Sequence, residues 1–193
     1  MKTLIFATNN KHKLQEVSQL LEGVVIIKSL EEMGLDGEIP ETSDTLQGNS
    51  LQKAQWVWDR THTDCFADDT GLEVEALDGR PGVYSARYAG EHCSFDDNVN
   101  KMLHEMEGKT NRKACFRTVI TLMENGVPRY FEGRVDGQIL TERYGKEGFG
   151  YDPIFMPDRF AVSFAEMPLE VKNRISHRGK AVAQLVDYLR NNK

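Results

Sequence analysis

Cysteine is scarce and odd in number: Cys65, Cys93 and Cys115 are the only three in 193 residues, 28 and 22 positions apart. An odd count excludes a closed disulfide framework, and without a CxxC spacing the zinc and redox sites built on it are excluded too. Reduced, core-packed thiols are expected. Long apolar runs are also lacking. The N-terminal one is Leu4-Ile5-Phe6-Ala7, shorter than the roughly 7–15 residues of a signal peptide's apolar region, and none approaches the roughly 18 of a bilayer span. No membrane partner is expected, and the default location is cytoplasmic. Positive charge is in deficit, with 24 Lys and Arg against 30 Asp and Glu and a net charge of −6. That balance argues against broad binding of nucleic acid, while a local cationic pocket stays open. The GxxxxGK[ST] and GxGxxG patterns are both absent, which removes the P-loop and dinucleotide fingerprints. Internal repeats, low-complexity tracts and an interdomain linker are missing as well.

What is present is an ordinary globular composition, 39% hydrophobic and 28% charged. A chain of this length should bury on the order of 70% of its unfolded surface, so residues 1–193 read as one domain. Leu4–Ala7 reads as a buried strand entering a Thr8-Asn9-Asn10 turn. Leu14, Val17, Leu20 and Leu21 recur at helical spacing up to Gly23, and Val24-Val25-Ile26-Ile27 is a second short strand. Asp44 or Thr45 can cap a helix carrying Leu51, Ala54, Val57 and Trp58, after which Cys65-Phe66-Ala67 leads as a strand into Asp68-Asp69-Thr70-Gly71. Phe95, Val99, Met102, Leu103 and Met106 mark another amphipathic helix, with Asp96 and Asp97 suited to its N-terminus. The period then changes to two. Residues 114–123 alternate, and Asn125-Gly126 supplies a tight hairpin turn before Tyr130–Val135. A last helix is expected from near Ser176 through Leu189. These elements predict an α/β domain with a mixed sheet.

Several clusters could carry chemistry. Asp68-Asp69, at the expected exit of an apolar strand, stands where open α/β sheets place ligands, and two carboxylates invite a divalent cation. Taken alone, the pair fits a turn cap and a solvated carboxylate equally. Glu41 could add a third ligand or be a surface residue. Thr8 through Lys13 joins a strand to a helix start, where free N–H groups favour an anion, and Asn10 and Lys13 could grip phosphate there. Lys172 and Ser176-His177-Arg178-Gly179-Lys180 gather cations at the expected first turn of the last helix, a placement opposed by the helix dipole unless an anion binds. Around Phe149, Gly148 and Gly150 would let the backbone approach a base stacked on the ring, although an ordinary glycine loop reads the same way.

Together, Ala7-Thr8-Asn9-Asn10 with Lys13, Phe66–Leu72, Gly82–Tyr88, Gly148–Phe155 and Ser176-His177-Arg178 resemble the inosine triphosphate pyrophosphatase family, also called XTP/dITP diphosphatases. The resemblance extends over essentially the whole chain. It implies hydrolysis of ITP, dITP and XTP to the monophosphate and pyrophosphate, dependence on Mg2+, and a homodimer. It also implies an elongated mixed β-sheet flanked by helices, in two lobes with a central active-site cleft. Carried over by position, Thr8, Asn9, Asn10, Lys11, His12 and Lys13 resemble the phosphate-binding turn and Lys53 a phosphate contact. Glu41 and Asp69 resemble the metal site, and Asp69 is also the family's proton acceptor. Thr70, Phe149, Gly150, Tyr151, Asp152, Lys172, His177 and Arg178 resemble nucleotide contacts. Two positions depart: Asn9 replaces a common glycine, and Gly48 stands where many members carry glutamate.

The chemistry expected from that set is in-line attack of water on the α-phosphorus. Asp68 or Asp69 would orient and deprotonate the water, with Asp68 favoured to share the role because a carboxylate on a metal is the poorer base. A related pyrophosphatase for modified pyrimidine nucleotides would use the same acids and cations, and a non-catalytic nucleotide-binding module would keep only the cations.

Overall fold

The computed structural model describes residues 1–192. Strand β1 (Thr3–Phe6) is followed by α1 (Lys11–Leu20), β2 (Ile26–Lys28), α2 (Leu46–Thr61), β3 (Cys65–Val74), β4 (Pro81–Gly82) and α3 (Phe95–Glu105). Then come β5 (Lys113–Glu124), β6 (Val127–Ile139), β7 (Phe155–Pro157), α4 (Leu169–Ile175) and α5 (His177–Asn191). The sheet order is β2-β1-β3-β5-β6-β7, with β4 paired to β3. β1 lies parallel to both β2 and β3, whereas the β3–β4 and β6–β7 pairs are antiparallel. The sheet is therefore mixed, as the change of hydrophobic period indicated.

The chain forms two compact units. Unit 1 comprises Met1–Asp69, Thr118–Gly133 and the chain from His177 onward; unit 2 comprises Thr70–Arg117 and Arg134–Ser176. In unit 1 the apolar run of β1 is buried on both faces, as parallel strands covered by helices are. Leu4 and Phe6 pack with Val17 and Leu21 on the α1 side and with Ala181, Val182 and Leu185 of α5. Ile5 and Ala7 point the other way, to Ala54 and Val57 of α2. The Phe6 and Phe66 rings stack at 4.5 Å, fixing β1 against β3 on the first of those faces. Unit 2 has its own core, in which Val99 and Met102 of α3 meet Phe116, Phe155 and Phe164.

The terminators are those the residues suggest. Thr45, of the two candidates, caps α2 by accepting a hydrogen bond from Gly48 N at 3.0 Å. Ser94 and Asp97 exchange side chain and backbone bonds in a capping box at α3. Asn125 and Gly126 both take positive φ, 50° and 78°, as a tight hairpin turn requires.

Three expectations change. The segment at Asp68 is not a strand exit: β3 continues to Val74, because it gains a second pairing with β4 at Leu72 and Glu73. The second strand begins at Ile26 rather than Val24, since the N–H groups of Val24 and Val25 close the turn after α1 onto Leu21 O. The last helix begins at His177, next to the expected Ser176, but Lys172 belongs to a separate short helix before it. Ser176 is extended (φ −72°, ψ 161°) and ends α4, so Lys172 sits in α4 and α5 opens at His177.

Gly133 of β6 lies directly under the first turn of α5. A Cβ there would stand 2.0 Å from His177 O and 2.6 Å from Ala181 N, both backbone atoms. Gly133→Ala should therefore destabilise the protein by about 2 kcal/mol or more and lower Tm by about 4–8 °C in a thermal melt. An unchanged Tm would mean that α5 is not held against β6.

Candidate active site

Period two along β3 decides what the adjacent acids meet. Asp68 shares the face of Phe66, toward α1 and α5, and Asp69 shares the face of Ala67, toward α2. Lys13 of α1 reaches Asp68 Oδ1 with Nζ at 3.1 Å, and Arg178 of α5 donates from Nε to Asp68 Oδ2 at 3.0 Å. Arg178 Nη1 also donates to Glu16 Oε2 at 2.7 Å. Arg178, Asp68 and Glu16 are buried, with Arg178 only 1% exposed. On the other face Lys53 lies on the buried stripe of α2 with Ser50, Ala54 and Val57. Its Nζ is 2.6 Å from Glu41 Oε1 and 3.6 Å from Asp69 Oδ1. Asp69 Oδ2 is buried and accepts no hydrogen bond among the described residues.

The two acids consequently differ as bases. Burial alone would raise the Asp68 carboxyl, but Lys13, Arg178 and Lys53 outweigh it and hold the group well below the usual carboxylate range. For Asp69 burial wins over Lys53 and Lys13, helped by the neighbouring charges of Glu41 and Asp68, and its pKa is raised. Burial lowers the Lys13 ammonium more than Asp68 restores it. Lys53 is also pulled down by burial, yet Asp69 and Glu41 more than compensate, and its pKa is raised. Burial would raise Glu41, but Lys53 brings it down.

The Thr8–Lys13 turn is built around its cap. Asn10 Oδ1 accepts from His12 N and Lys13 N at 3.0 and 3.2 Å, so this oxygen is engaged with the helix start. Asn10 N donates to Thr8 Oγ1 at 3.1 Å. Lys11 and His12 are exposed, as is Asn9. Asn9 is not among the residues with positive φ, so the turn makes no call on the freedom a glycine would give. The other departure has a steric side. A Cβ on Gly48 would stand 2.0 Å from Ser43 Oγ and 2.9 Å from Thr45 Oγ1, so the cap occupies the place of a side chain. No cluster of three or more His, Cys, Asp or Glu side chains suited to a metal occurs among the described residues. Glu41 and Asp69 remain, both already beside the Lys53 ammonium, and such a pair of carboxylates fits a hard cation that takes its other ligands from water and phosphate.

Unit 2 holds a second polar arrangement. Asp152 Oδ2 accepts from Lys172 Nζ at 2.7 Å and from Phe149 N at 3.0 Å, and both charged side chains are buried. The Lys172 ammonium lies 5.1 Å from the Phe149 ring centroid. Gly148 has φ +72°, and a Cβ there would fall 2.1 Å from Asp152 Oδ2, so glycine is required for this carboxylate to reach the loop. Gly150 is also left-handed, with open space at its Cβ. Tyr151 is core-packed and donates to Ser85 O at 2.6 Å. Thr70 is half-buried, and His177 is buried at the first position of α5.

Glu16 was missed, although a signal existed. Lys13, Glu16, Val17 and Leu20 share one stripe of α1, and charges set among core positions point to a buried pair.

Residues 4–188 match the model of the Ham1 family, and the chain belongs to that family. It is 57% identical over 190 residues to the dITP/XTP pyrophosphatase of Porphyromonas gingivalis, covering 98% of each chain. It is 53% identical over 186 residues to the protein of the same name from Flavobacterium johnsoniae, covering 96% of this chain and 97% of that one. Among solved structures, the Staphylococcus aureus Ham1 protein superposes with a TM-score of 0.89 at 35% identity over 100% of both chains. A HAM1 protein from Coxiella burnetii gives 0.91 at 36%, over 99% of this chain and 100% of that one.

A carboxyl whose folded pKa is depressed adds stability above its unfolded value, near 3.9, and that contribution is lost as pH falls through the folded pKa. Asp68→Asn removes it and leaves Arg178 and Lys13 without this counter-charge. The variant should be about 3–5 kcal/mol less stable at pH 7, and denaturant titrations should show a shallower loss of stability below pH 5 than wild type. Identical acid limbs would contradict the assignment of Asp68 as a carboxylate held by these cations.

Proposed function

We propose that this protein hydrolyses nonstandard purine nucleoside triphosphates, dITP, ITP and XTP, to the monophosphate and pyrophosphate with Mg2+ as cofactor. The observation that carries the reading is the unequal treatment of neighbouring acids. Asp68 is spent on Lys13 and Arg178, whereas Asp69 keeps a buried oxygen that accepts no hydrogen bond among the described residues and a raised pKa. The names carried by close relatives agree with it.

In this reading Asp69 Oδ2 takes the proton of the water that attacks the α-phosphorus, and Asp68 is a positioning residue that fixes Lys13. This reverses the preference for Asp68 as base, because both Asp68 oxygens are engaged by Lys13 and Arg178, whereas Asp69 Oδ2 accepts no hydrogen bond among the described residues. Mg2+ held by Glu41 and Asp69 Oδ1 would neutralise charge on the phosphate oxygens and polarise them. Lys13 and Lys53 supply the remaining positive charge, each worth roughly 4 kcal/mol at about 4 Å and an effective dielectric near 20 before desolvation.

Base choice follows from the Asp152–Lys172 pair. Ammonium is a donor and carboxylate an acceptor, so side by side they match O6 and N1–H of hypoxanthine or xanthine. Adenine presents the opposite order, a donor toward the ammonium and an acceptor toward the carboxylate, a mismatch that can discriminate by ~10⁴–10⁵. The Phe149 ring offers the face on which the base stacks. On the family resemblance we also assign a homodimer, acting on the cytoplasmic nucleotide pool.

Incubation with dITP, XTP, dATP or dUTP, with Mg2+ or EDTA, should release pyrophosphate from the first two only, and only with Mg2+. Orthophosphate as the direct product would displace attack at the α-phosphorus. Preference for dUTP would favour a pyrimidine enzyme, and no product from any substrate a binding module. Asp69→Asn should lower kcat by about 10²–10⁴ with KM little changed; near-normal kcat would remove Asp69 from the mechanism.

A further inference from the structure

Lys53 is placed unlike the other cations of unit 1. Lys13 and Arg178 face Asp68, which the proposed chemistry does not use as a base. Lys53 instead stands against Glu41 and Asp69, the two carboxylates assigned to the divalent cation. The ammonium and the metal thus compete for the same oxygens. Glu41 and Lys53 are unequal in accessibility: the carboxylate side chain is 36% exposed and the lysine 8%. A cation can therefore reach the acid from solvent while the lysine is still seated. The Asp69 carboxylate is set by its strand, but the lysine charge rides on a flexible four-carbon stem. The mobile partner is the one that can leave.

We propose that Lys53 is an internal counter-cation that holds Glu41 and Asp69 until the divalent cation displaces it, and that the displaced ammonium then serves the substrate phosphates. This rests on the assignment of Glu41 and Asp69 as cation ligands. Lys53 is on this account a positioning residue for the metal before it is a contact for the nucleotide. Its removal acts in opposite directions on the two ligands, a pattern that a merely structural lysine does not produce.

The test is Mn2+ binding to the nucleotide-free protein, followed by the electron paramagnetic resonance signal of free Mn2+. Lys53→Met, with no ammonium to displace, should bind Mn2+ about tenfold more tightly than wild type. Lys53→Arg, which keeps a charge, should stay close to wild type. Lys53→Gln should follow Lys53→Met and serves if the latter does not fold, folding being checked by thermal melts. At Mn2+ concentrations that saturate both proteins, the KM of Lys53→Met for dITP should rise at least tenfold. Equal or weaker Mn2+ binding by the folded uncharged variants overturns the inference, as does an unchanged KM or the absence of Mn2+ binding in every protein. Pyrophosphate release by wild type judges the proposed reaction separately, so the reaction stands if only the lysine inference fails.

Discussion

A carboxylate buried in a protein interior is tolerated only when opposite charge and hydrogen bonds replace its water. Asp68 meets that condition through Lys13 on α1 and Arg178 on α5, with Glu16 on α1 taking another face of the same guanidinium. One acid on the central strand β3 thereby ties two helices that are far apart in the chain. The rest of unit 1's chemistry depends on this tie. It sets where the Lys13 ammonium points, and it presents the first turn of α1, whose capped N–H groups lie beside Lys13.

The same tie separates the roles of adjacent residues. Along a strand neighbouring side chains point apart, so Asp69 meets a different helix and different company: one lysine, one partly exposed glutamate and an oxygen left without a hydrogen bond. Two carboxylates next to each other in sequence are driven in opposite directions, one to a permanent anion and the other to a better proton acceptor. Such divergence of neighbouring titratable groups marks acid–base function more specifically than either shift alone. In unit 2 the Asp152–Lys172 pair follows another logic: a donor and an acceptor held together against an aromatic ring, with Gly148 conceding the space.

Most elements could be read from the residues. Helical spacing located α1, α2, α3 and α5, Asp96 and Asp97 pointed to the start of α3, Asp44 or Thr45 to that of α2, and Asn125-Gly126 marked the hairpin. The misreadings share a cause. In a sequence, polar residues signal a turn or solvent, whereas burial with a partner makes them core. Asp68 and Asp69 therefore read as the end of a strand that in fact runs to Val74, and Glu16 passed unnoticed within an apolar stripe. Likewise Lys172, grouped in the sequence with the start of the last helix, belongs to the separate short helix α4, which Ser176 ends in an extended conformation. The family resemblance named the acids and cations, but which cation faces which acid depends on strand alternation and helix rotation, and these appear only in three dimensions.

The central claim is that the pKa values of Asp68 and Asp69 are displaced in opposite directions, and it is tested most directly by carboxyl 13C chemical shifts of aspartate titrated in the metal-free, nucleotide-free protein. The account predicts that the Asp69 signal moves at a pH above the ordinary aspartate range while Asp68 stays ionised below it. The reverse order, or a common midpoint for both, would contradict it.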